Sequence, residues 1–268
     1  MIPRIVSVTK MTRLLLHKSW LEAWIDCPMK YKLTVQNNVP TEPTVEMQIG
    51  LHFHEFARDF YTYMDWETLP MIDTYDDCIE FFKWFVPRDL PELVKPLAMN
   101  FIEHEARRWI ECRRLYDDPL EVFKPVFLEE TFVARDVVPG VDMEGTIDRI
   151  DRTSLGTLVI IEYKTGRKLR VRDVKRELAF YVLLVQGSGR VKDEITHIAA
   201  YNPRTNEEFC QPVTRRLLQM TRQRILQIQK AHELDYFPPR ESFRCAFCHV
   251  KEFCPLWTNS NYSTPGGD

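Results

Sequence analysis

The sequence predicts a single α/β domain at 19–257, in which helices flank a mixed β-sheet. The spacing of apolar residues is helical up to about residue 118 and becomes strand-like from about Val126. Two stretches rich in β-branched residues, 141–152 and 157–164, are separated by the short turn at Leu155-Gly156. The chain has 268 residues, 44% of them hydrophobic, which is enough for one large core.

The elements are assigned in order along the chain. Residues 1–18 are assigned to an N-terminal extension and 258–268 to a flexible tail. Helices are predicted at 19–28 with Ser19 as N-cap, at 45–66, at 73–86 and 89–117 with a kink at Pro96, at 171–186, and from Thr214 to about Leu234. Strands are predicted at 126–134, 141–152, 157–164, 194–201 and 208–213. The helices at about 70–118 carry no chemical motif, so we interpret them as a helical insertion.

Composition excludes several classes of protein. No apolar run approaches the roughly 20 residues that a membrane helix needs, and the N-terminus lacks a secretion signal. We therefore expect a cytoplasmic protein with no membrane contact. The net charge is −3, from 36 Lys and Arg against 39 Asp and Glu, so any nucleic-acid interface must be local. Seven cysteines in such a chain are not expected to form a disulfide framework.

The two central strands carry three charged residues that suggest chemistry. Glu162 and Lys164 lie two residues apart, so they point to the same side of a strand. In a hairpin, Asp148 could lie across from them on that side. Two carboxylates and a lysine suit hydrolysis of a phosphodiester with Mg²⁺ or Mn²⁺. The alternative is a hairpin whose charged residues simply face solvent.

An upstream histidine is a candidate ligand. His54 lies on the predicted helix 45–66, and Gly50 lies one turn earlier on the same stripe. Since glycine has no side chain, another backbone or a ligand can approach the imidazole closely. A histidine in the core is the alternative interpretation of His54.

Four cysteines form a second group. Cys245, Cys248 and Cys254 give the spacing C-x2-C-x5-C, and Cys27 lies more than 200 residues earlier. Four thiolates bind Zn²⁺ or a [4Fe–4S] cluster. A structural zinc site usually pairs two close C-x2-C units. Zinc, with His249 as a further ligand candidate, and uncoordinated thiols remain open alternatives.

Six positive charges fall within ten residues directly after the strand that carries Lys164. A charge run is usually a solvated face. This one begins three residues after Lys164, where a phosphate backbone would have to pass, so we favour a DNA-binding track. Its members are Arg167, Lys168, Arg170, Arg172, Lys175 and Arg176.

Together these motifs resemble those of the PD-(D/E)xK nuclease superfamily, and more closely its RecB-like branch. One strand reads G-x-x-D-R from Gly145, and the next reads E-x-K-T-G from Glu162. The G-x-x-x-H motif of that branch is matched by Gly50 to His54. Its Q-x-x-x-Y motif falls on 177–181, where this chain has glutamate first.

The resemblance implies a restriction-endonuclease-like fold and a role for single positions. The metal ligands would be His54, Asp148, Glu162 and the backbone carbonyl of Tyr163. Lys164 would be the catalytic lysine. Glu177 and Tyr181 would position the nucleic-acid strand or the active-site side chains. Glu177 departs from the pattern, because an ionised glutamate only accepts hydrogen bonds whereas glutamine also donates them. The alternative is a DNA-binding or scaffolding subunit whose nuclease centre is silent.

The cysteine spacing is similar to the iron–sulfur staple of some RecB-like nucleases, including the AddB nuclease domain and the CRISPR-associated exonucleases. The resemblance implies a [4Fe–4S] cluster and an exonuclease that acts on single-stranded or frayed DNA. It further implies a role in DNA repair and recombination or in CRISPR adaptation, with a helicase or CRISPR adaptation proteins as partners. A zinc-stabilised interaction domain is a third interpretation.

Overall fold

A computed structural model describes residues 13–39 and 43–258. The strands are β1 (Leu14–His17), β2 (Phe127–Val138), β3 (Val141–Arg152), β4 (Leu158–Tyr163), β5 (Ile195–Asn202) and β6 (Glu207–Pro212). The helices are α1 (Lys18–Asp26), α2 (Pro28–Tyr31), α3 (Val45–Thr62), α4 (Tyr75–Lys83), α5 (Lys95–Leu115), α6 (Pro119–Phe123), α7 (Val171–Ser188), α8 (Arg215–Glu233) and α9 (Pro255–Thr258). A π-helical turn covers Lys32–Gln36, and 3₁₀ turns cover Leu69–Met71, Phe243–Phe247 and Lys251–Phe253.

The strands form one sheet, which is mixed as predicted but has six strands where the sequence predicted five. The order is β1-β3-β4-β5-β6, with β2 also paired to β3. The β1–β3 and β4–β5 pairs are parallel, and the others are antiparallel. Helices pack on both faces, so the predicted α/β class of restriction-endonuclease-like fold is confirmed.

Strand β3 has an interrupted edge. Strand β2 runs along one side of it, and β1 and β4 share the other side. On that shared side β1 pairs with 141–144 and β4 pairs with 149–152. Residues 145–148 therefore lie in a gap between the two neighbours. Since β1 runs parallel to β3 and β4 runs antiparallel, the carboxyl ends of β1 and β4 converge on this gap.

Two hydrophobic cores lie on the two sides of the sheet. One contains buried residues of α1, α7 and α8, such as Leu21, Phe180 and Ile225. The other joins α3, α4, α5 and α6 to the opposite face, where Tyr163 and Tyr201 contribute. The segment interpreted as an insertion thus provides α4 and α5 of this helical layer, together with α3 before it and α6 after it. Within the described ranges, no helix is long and apolar enough to cross a membrane.

Three local predictions were wrong. Residues 14–17 belong to the sheet rather than to an N-terminal extension, because their short apolar run pairs with a strand more than 100 residues away. Helix α1 begins at Lys18, with His17 rather than Ser19 at the N-cap. Pro96 lies in the first turn of α5, where a missing N–H breaks no helical hydrogen bond, so it starts the helix and does not kink it. The remaining terminal residues, 1–12 and 259–268, lie outside the described residues.

A buried ion network fastens the helical layer to β3. The Arg149 side chain, 2% exposed, donates to Asp151 at 2.6 Å and to Glu105 of α5 at 3.1 Å. Arg108, one turn after Glu105, donates to its other carboxylate oxygen at 2.7 Å. Burial alone would raise the pKa of Glu105, but the two guanidinium groups hold it well below its ordinary value. The network therefore depends on every member being present.

We expect Arg149→Met to lower the free energy of unfolding by about 3–5 kcal/mol, because the buried carboxylates of Glu105 and Asp151 would then share one guanidinium, that of Arg108, instead of two. Urea denaturation followed by circular dichroism measures this change. The control is Lys95→Met, which removes an exposed ion pair with Glu92 and should change stability by less than about 0.5 kcal/mol. A loss below about 1 kcal/mol for Arg149→Met would show that the network is not needed for stability.

Candidate active site

The gap in β3 brings together the three charged residues of the central hairpin. The register that pairs Arg149 with Ile161 places Asp148 opposite Glu162. The Asp148 Oδ2 atom accepts a hydrogen bond from the backbone N–H of Tyr163 at 2.7 Å. The Lys164 Nζ atom donates to Glu162 Oε1 at 2.8 Å. Asp148 and Glu162 are buried, so this edge of the sheet concentrates charge away from bulk solvent.

His54 reaches the same place from α3, together with a carboxylate that sequence analysis missed. The Nδ1 atom of His54 lies 3.4 Å from Asp148 Oδ1 and 3.3 Å from Glu129 Oε1. One ligand atom from each of these residues falls within 4.8 Å of the others, a separation suited to a single metal ion. Glu162 lies outside this group of three.

Glu129 could not be found from the pattern of β2. If β2 and β3 paired regularly from the Pro139-Gly140 turn onward, Thr131 would lie opposite Asp148. A register shift between Ala134 and Val138 instead places Glu129 there, where its φ of +46° interrupts the alternation of side chains. Bulges of this kind leave no reliable sequence signal.

Glu162 is held ionised by two lysines. Burial alone would raise the pKa of Glu162, but the ammonium groups of Lys18 and Lys164 lower it to about 2. Both lysines donate to Oε1. The other oxygen, Oε2, is buried and has no hydrogen-bond partner in the part of the chain that the structure describes. A buried carboxylate oxygen without a partner is unfavourable, so this atom fits a bound cation.

The raised pKa of His54 also indicates a site that fits a cation. Burial alone would lower the pKa of His54, but the carboxylates of Asp148, Glu129 and Glu162 raise it to about 10. A proton on the imidazole therefore supplies positive charge that the carboxylates attract. A divalent ion bound to the neutral imidazole would replace that proton. The donor set of one imidazole and several carboxylates suits Mg²⁺ or Mn²⁺.

Helix α7 brings Glu177 and Tyr181 to the site. Glu177 accepts a hydrogen bond from Lys164 and lies 3.6 Å from the Lys18 ammonium. The Tyr181 ring packs against Gly145, where an added Cβ would lie only 3.2 Å from a ring carbon. Gly145 therefore permits α7 to approach β3 closely. Lys18 lies 5.2 Å from the centre of the Tyr181 ring, and no sequence motif indicated it.

The predicted basic track only partly faces the site. A cavity of about 690 Å³ opens beside Lys164, and its walls include Arg167, Lys168, Arg170 and Arg176. The other two members are not in its walls. Arg172 has a side chain that is 83% exposed, and Lys175 lies 5.2 Å from the Phe209 ring centre.

The four cysteines of the proposed staple line a single second cavity of about 500 Å³, although Cys27 is more than 200 residues from the others. Backbone N–H groups donate to two of the sulfurs, from Arg240 to Cys27 at 3.2 Å and from Ser242 to Cys245 at 3.4 Å. Among the described residues, no three of these sulfur atoms lie within 4.8 Å of one another.

The fold, the two active-site strands and the upstream histidine together define a nuclease. The chain belongs to the PD-(D/E)XK nuclease superfamily, whose sequence model matches residues 18–255. No curated protein matches the chain with statistical significance.

Two solved structures match the chain at low sequence identity. One is a candidate exonuclease from Eubacterium rectale, 12% identical over 100% of this chain and 97% of its own, with a TM-score of 0.49. The other is SSO0001, 18% identical over 79% of this chain and 97% of its own, with a TM-score of 0.35.

We expect Glu129→Ala to weaken binding of Mn²⁺ at least about tenfold, because it removes a carboxylate from a group that fits one ion. Isothermal titration calorimetry without DNA measures the affinity. Glu130→Ala is the matched control, since Glu130 pairs with Arg190 away from the site and its loss should leave the affinity unchanged. Equal affinities for the two variants would exclude Glu129 as a ligand.

Proposed function

We propose that this protein is a deoxyribonuclease that hydrolyses DNA phosphodiesters with Mg²⁺ or Mn²⁺. The observation that carries the proposal is the buried Oε2 atom of Glu162, which has no hydrogen-bond partner among the described residues and lies beside the carboxylate of Asp148. Asp148, Glu162, His54 and the backbone carbonyl of Tyr163 would hold the ion, with Glu129 as an added ligand. The bound ion supplies a water of lowered pKa and offsets charge on the phosphate.

The residues of the chain do the remaining work. Burial alone would lower the pKa of Lys164, but Glu162 and Glu177 raise it, so the ammonium stays charged at neutral pH. A charged lysine cannot remove a proton from water. It would instead orient the water or stabilise negative charge that develops on the phosphate. Tyr181, packed against Gly145, would position the strand or its neighbouring side chains.

The substrate is proposed from charge and from the cavity beside Lys164. Four arginines and lysines of the predicted track line this cavity and would attract a phosphate backbone. We extend the DNA-binding proposal to Arg172 and Lys175, which lie on α7 together with Arg176. Exonuclease action on single-stranded or frayed ends rests on the resemblance to RecB-like nucleases.

A catalytically silent DNA-binding or scaffolding subunit is the second candidate, and Glu177 is the observation that favours it. Glutamate cannot donate a hydrogen bond to a base or phosphate as glutamine can. Its contacts argue for an intact centre, however, because Glu177 accepts from Lys164 and lies close to Lys18. The acidic group is thus matched by positive charge within the site.

For the four cysteines we propose a [4Fe–4S] cluster that ties α1 to the C-terminal segment. A zinc ion with sulfur ligands at about 2.3 Å holds its sulfurs roughly 4 Å apart. The cysteine sulfurs of this chain are farther apart, since no three of them lie within 4.8 Å of one another among the described residues. A larger cluster fits that spacing better.

The cellular setting is proposed from the resemblance alone. We propose a cytoplasmic single-domain protein of the RecB-like iron–sulfur branch that acts in DNA repair and recombination or in CRISPR adaptation. A helicase or CRISPR adaptation proteins would be its partners.

We expect the purified protein with its cluster intact to cleave single-stranded DNA in Mg²⁺ or Mn²⁺ and to lose that activity in EDTA. Glu162→Gln should reduce the rate by at least about 10²-fold, because it removes a charge that binds the ion. Gel analysis of end-labelled DNA measures the rate, and Glu130→Gln serves as the active control. DNA binding without cleavage, unchanged in Glu162→Gln, would instead support the silent subunit.

We expect anaerobically purified protein to be brown and to contain about four irons per chain. Cys248→Ser should lose the iron and the charge-transfer absorbance, whereas Cys210→Ser should retain both. Cys210 is an exposed cysteine on β6 and provides the matched control. Iron and zinc are counted on the same sample. One zinc per chain and no colour would contradict the cluster.

A further inference from the structure

We propose that Lys18 and Glu177 form one charge-matched unit beside the Glu162 carboxylate. This inference rests on the proposed metal-dependent function of the same site. No motif indicated Lys18, and Glu177 is the residue at which the chain departs from the RecB-like pattern. The structure places the two in one cluster.

The position of Lys18 follows from the sheet. Strand β1 ends at His17, paired with Glu144, so the next residue enters the gap of β3 as α1 begins. The Lys18 ammonium then lies 2.7 Å from Glu162 Oε1, with its side chain only 23% exposed. Burying an ammonium group is unfavourable unless it has charged partners, so this contact is not an incidental surface pair.

The two lysines fix the orientation of Glu162. Lys18 and Lys164 both contact Oε1, at 2.7 and 2.8 Å. The carboxylate is thereby held with Oε2 turned away from both ammonium groups. Oε2, the atom proposed to meet the ion, has no hydrogen-bond partner among the described residues.

Two ammonium groups on one oxygen repel each other and exceed the single charge of Glu162. A second carboxylate therefore has to be close. Glu177 accepts from Lys164 and lies 3.6 Å from Lys18, which balances two cations with two anions. Neutral glutamine at that position would remove one of the carboxylates that face the two ammonium groups, although Glu22, which lies beside Glu177, faces them as well. The departure at Glu177 thus occurs where a second lysine, Lys18, enters the site.

The test uses Lys18→Met, Glu177→Gln and the double variant, with two readouts that need no DNA. In EDTA, each single variant should lower Tm by about 4 °C or more, because each leaves a buried charge unmatched. The double variant should lose less than either single one. Mn²⁺ affinity, from calorimetry, should fall about tenfold in Glu177→Gln and rise in Lys18→Met, since each changes the charge near the ion. It should return to within about threefold of the unmutated protein in the double variant.

Controls keep the test decisive. Lys18→Arg preserves the charge and should bind Mn²⁺ with the affinity of the unmutated protein. Lys83→Met removes an exposed pair with Glu80 and should leave both Tm and Mn²⁺ affinity unchanged. Tm losses that add in the double variant, or an affinity insensitive to Lys18→Met, would overturn the proposal. Because no DNA is present, a protein that does not cleave would still show the coupling. Cleavage with additive Tm losses would retain the function and reject the unit.

Discussion

The site depends on a gap in the pairing of strand β3. Over residues 145–148 the strand pairs with β2 on one side and has no regular pairing on the other, because β1 pairs only as far as Glu144 and the pairing with β4 begins at Arg149. A backbone edge left unpaired in a protein interior has to find other partners. Here the Asp148 carboxylate accepts the N–H of Tyr163, and the side chains that follow β1 and β4 fill the space.

The carboxyl ends of β1 and β4 converge on this gap, which brings residues that are distant in the sequence together. Lys18 follows β1, Lys164 follows β4, and both donate to Glu162. Asp148 has its neighbour Arg149 on the opposite face, where the guanidinium ties the strand to Glu105 of α5. Helix α5, which carries no motif, thus fixes the strand that carries Asp148. Adjacent residues of β3 therefore serve the stability of the fold, through Arg149, and the candidate site, through Asp148.

Much of the fold could be predicted from local patterns. The β-branched hairpin and the helices around it lie within a few residues of their predicted positions, since alternation and capping residues such as Thr214 act locally. Strand β1 could not be found, because four residues with a partner more than 100 positions away have no periodicity of their own.

The candidate site was predictable to the same degree. Asp148, Glu162, Lys164 and His54 followed from spacing and resemblance, and the structure brings them together. Glu129 enters through a register shift. The partners of Glu177 likewise depend on packing of α1 against α7 rather than on spacing.

The most direct test of the central claim is a crystal structure of the protein soaked in Mn²⁺, with the ion located by its anomalous scattering. We predict an ion at the gap in β3, bound by His54, Asp148 and Oε2 of Glu162, with Glu129 in contact. An ion bound elsewhere, or a site left empty at saturating Mn²⁺ with both lysines still on Glu162, would contradict this account.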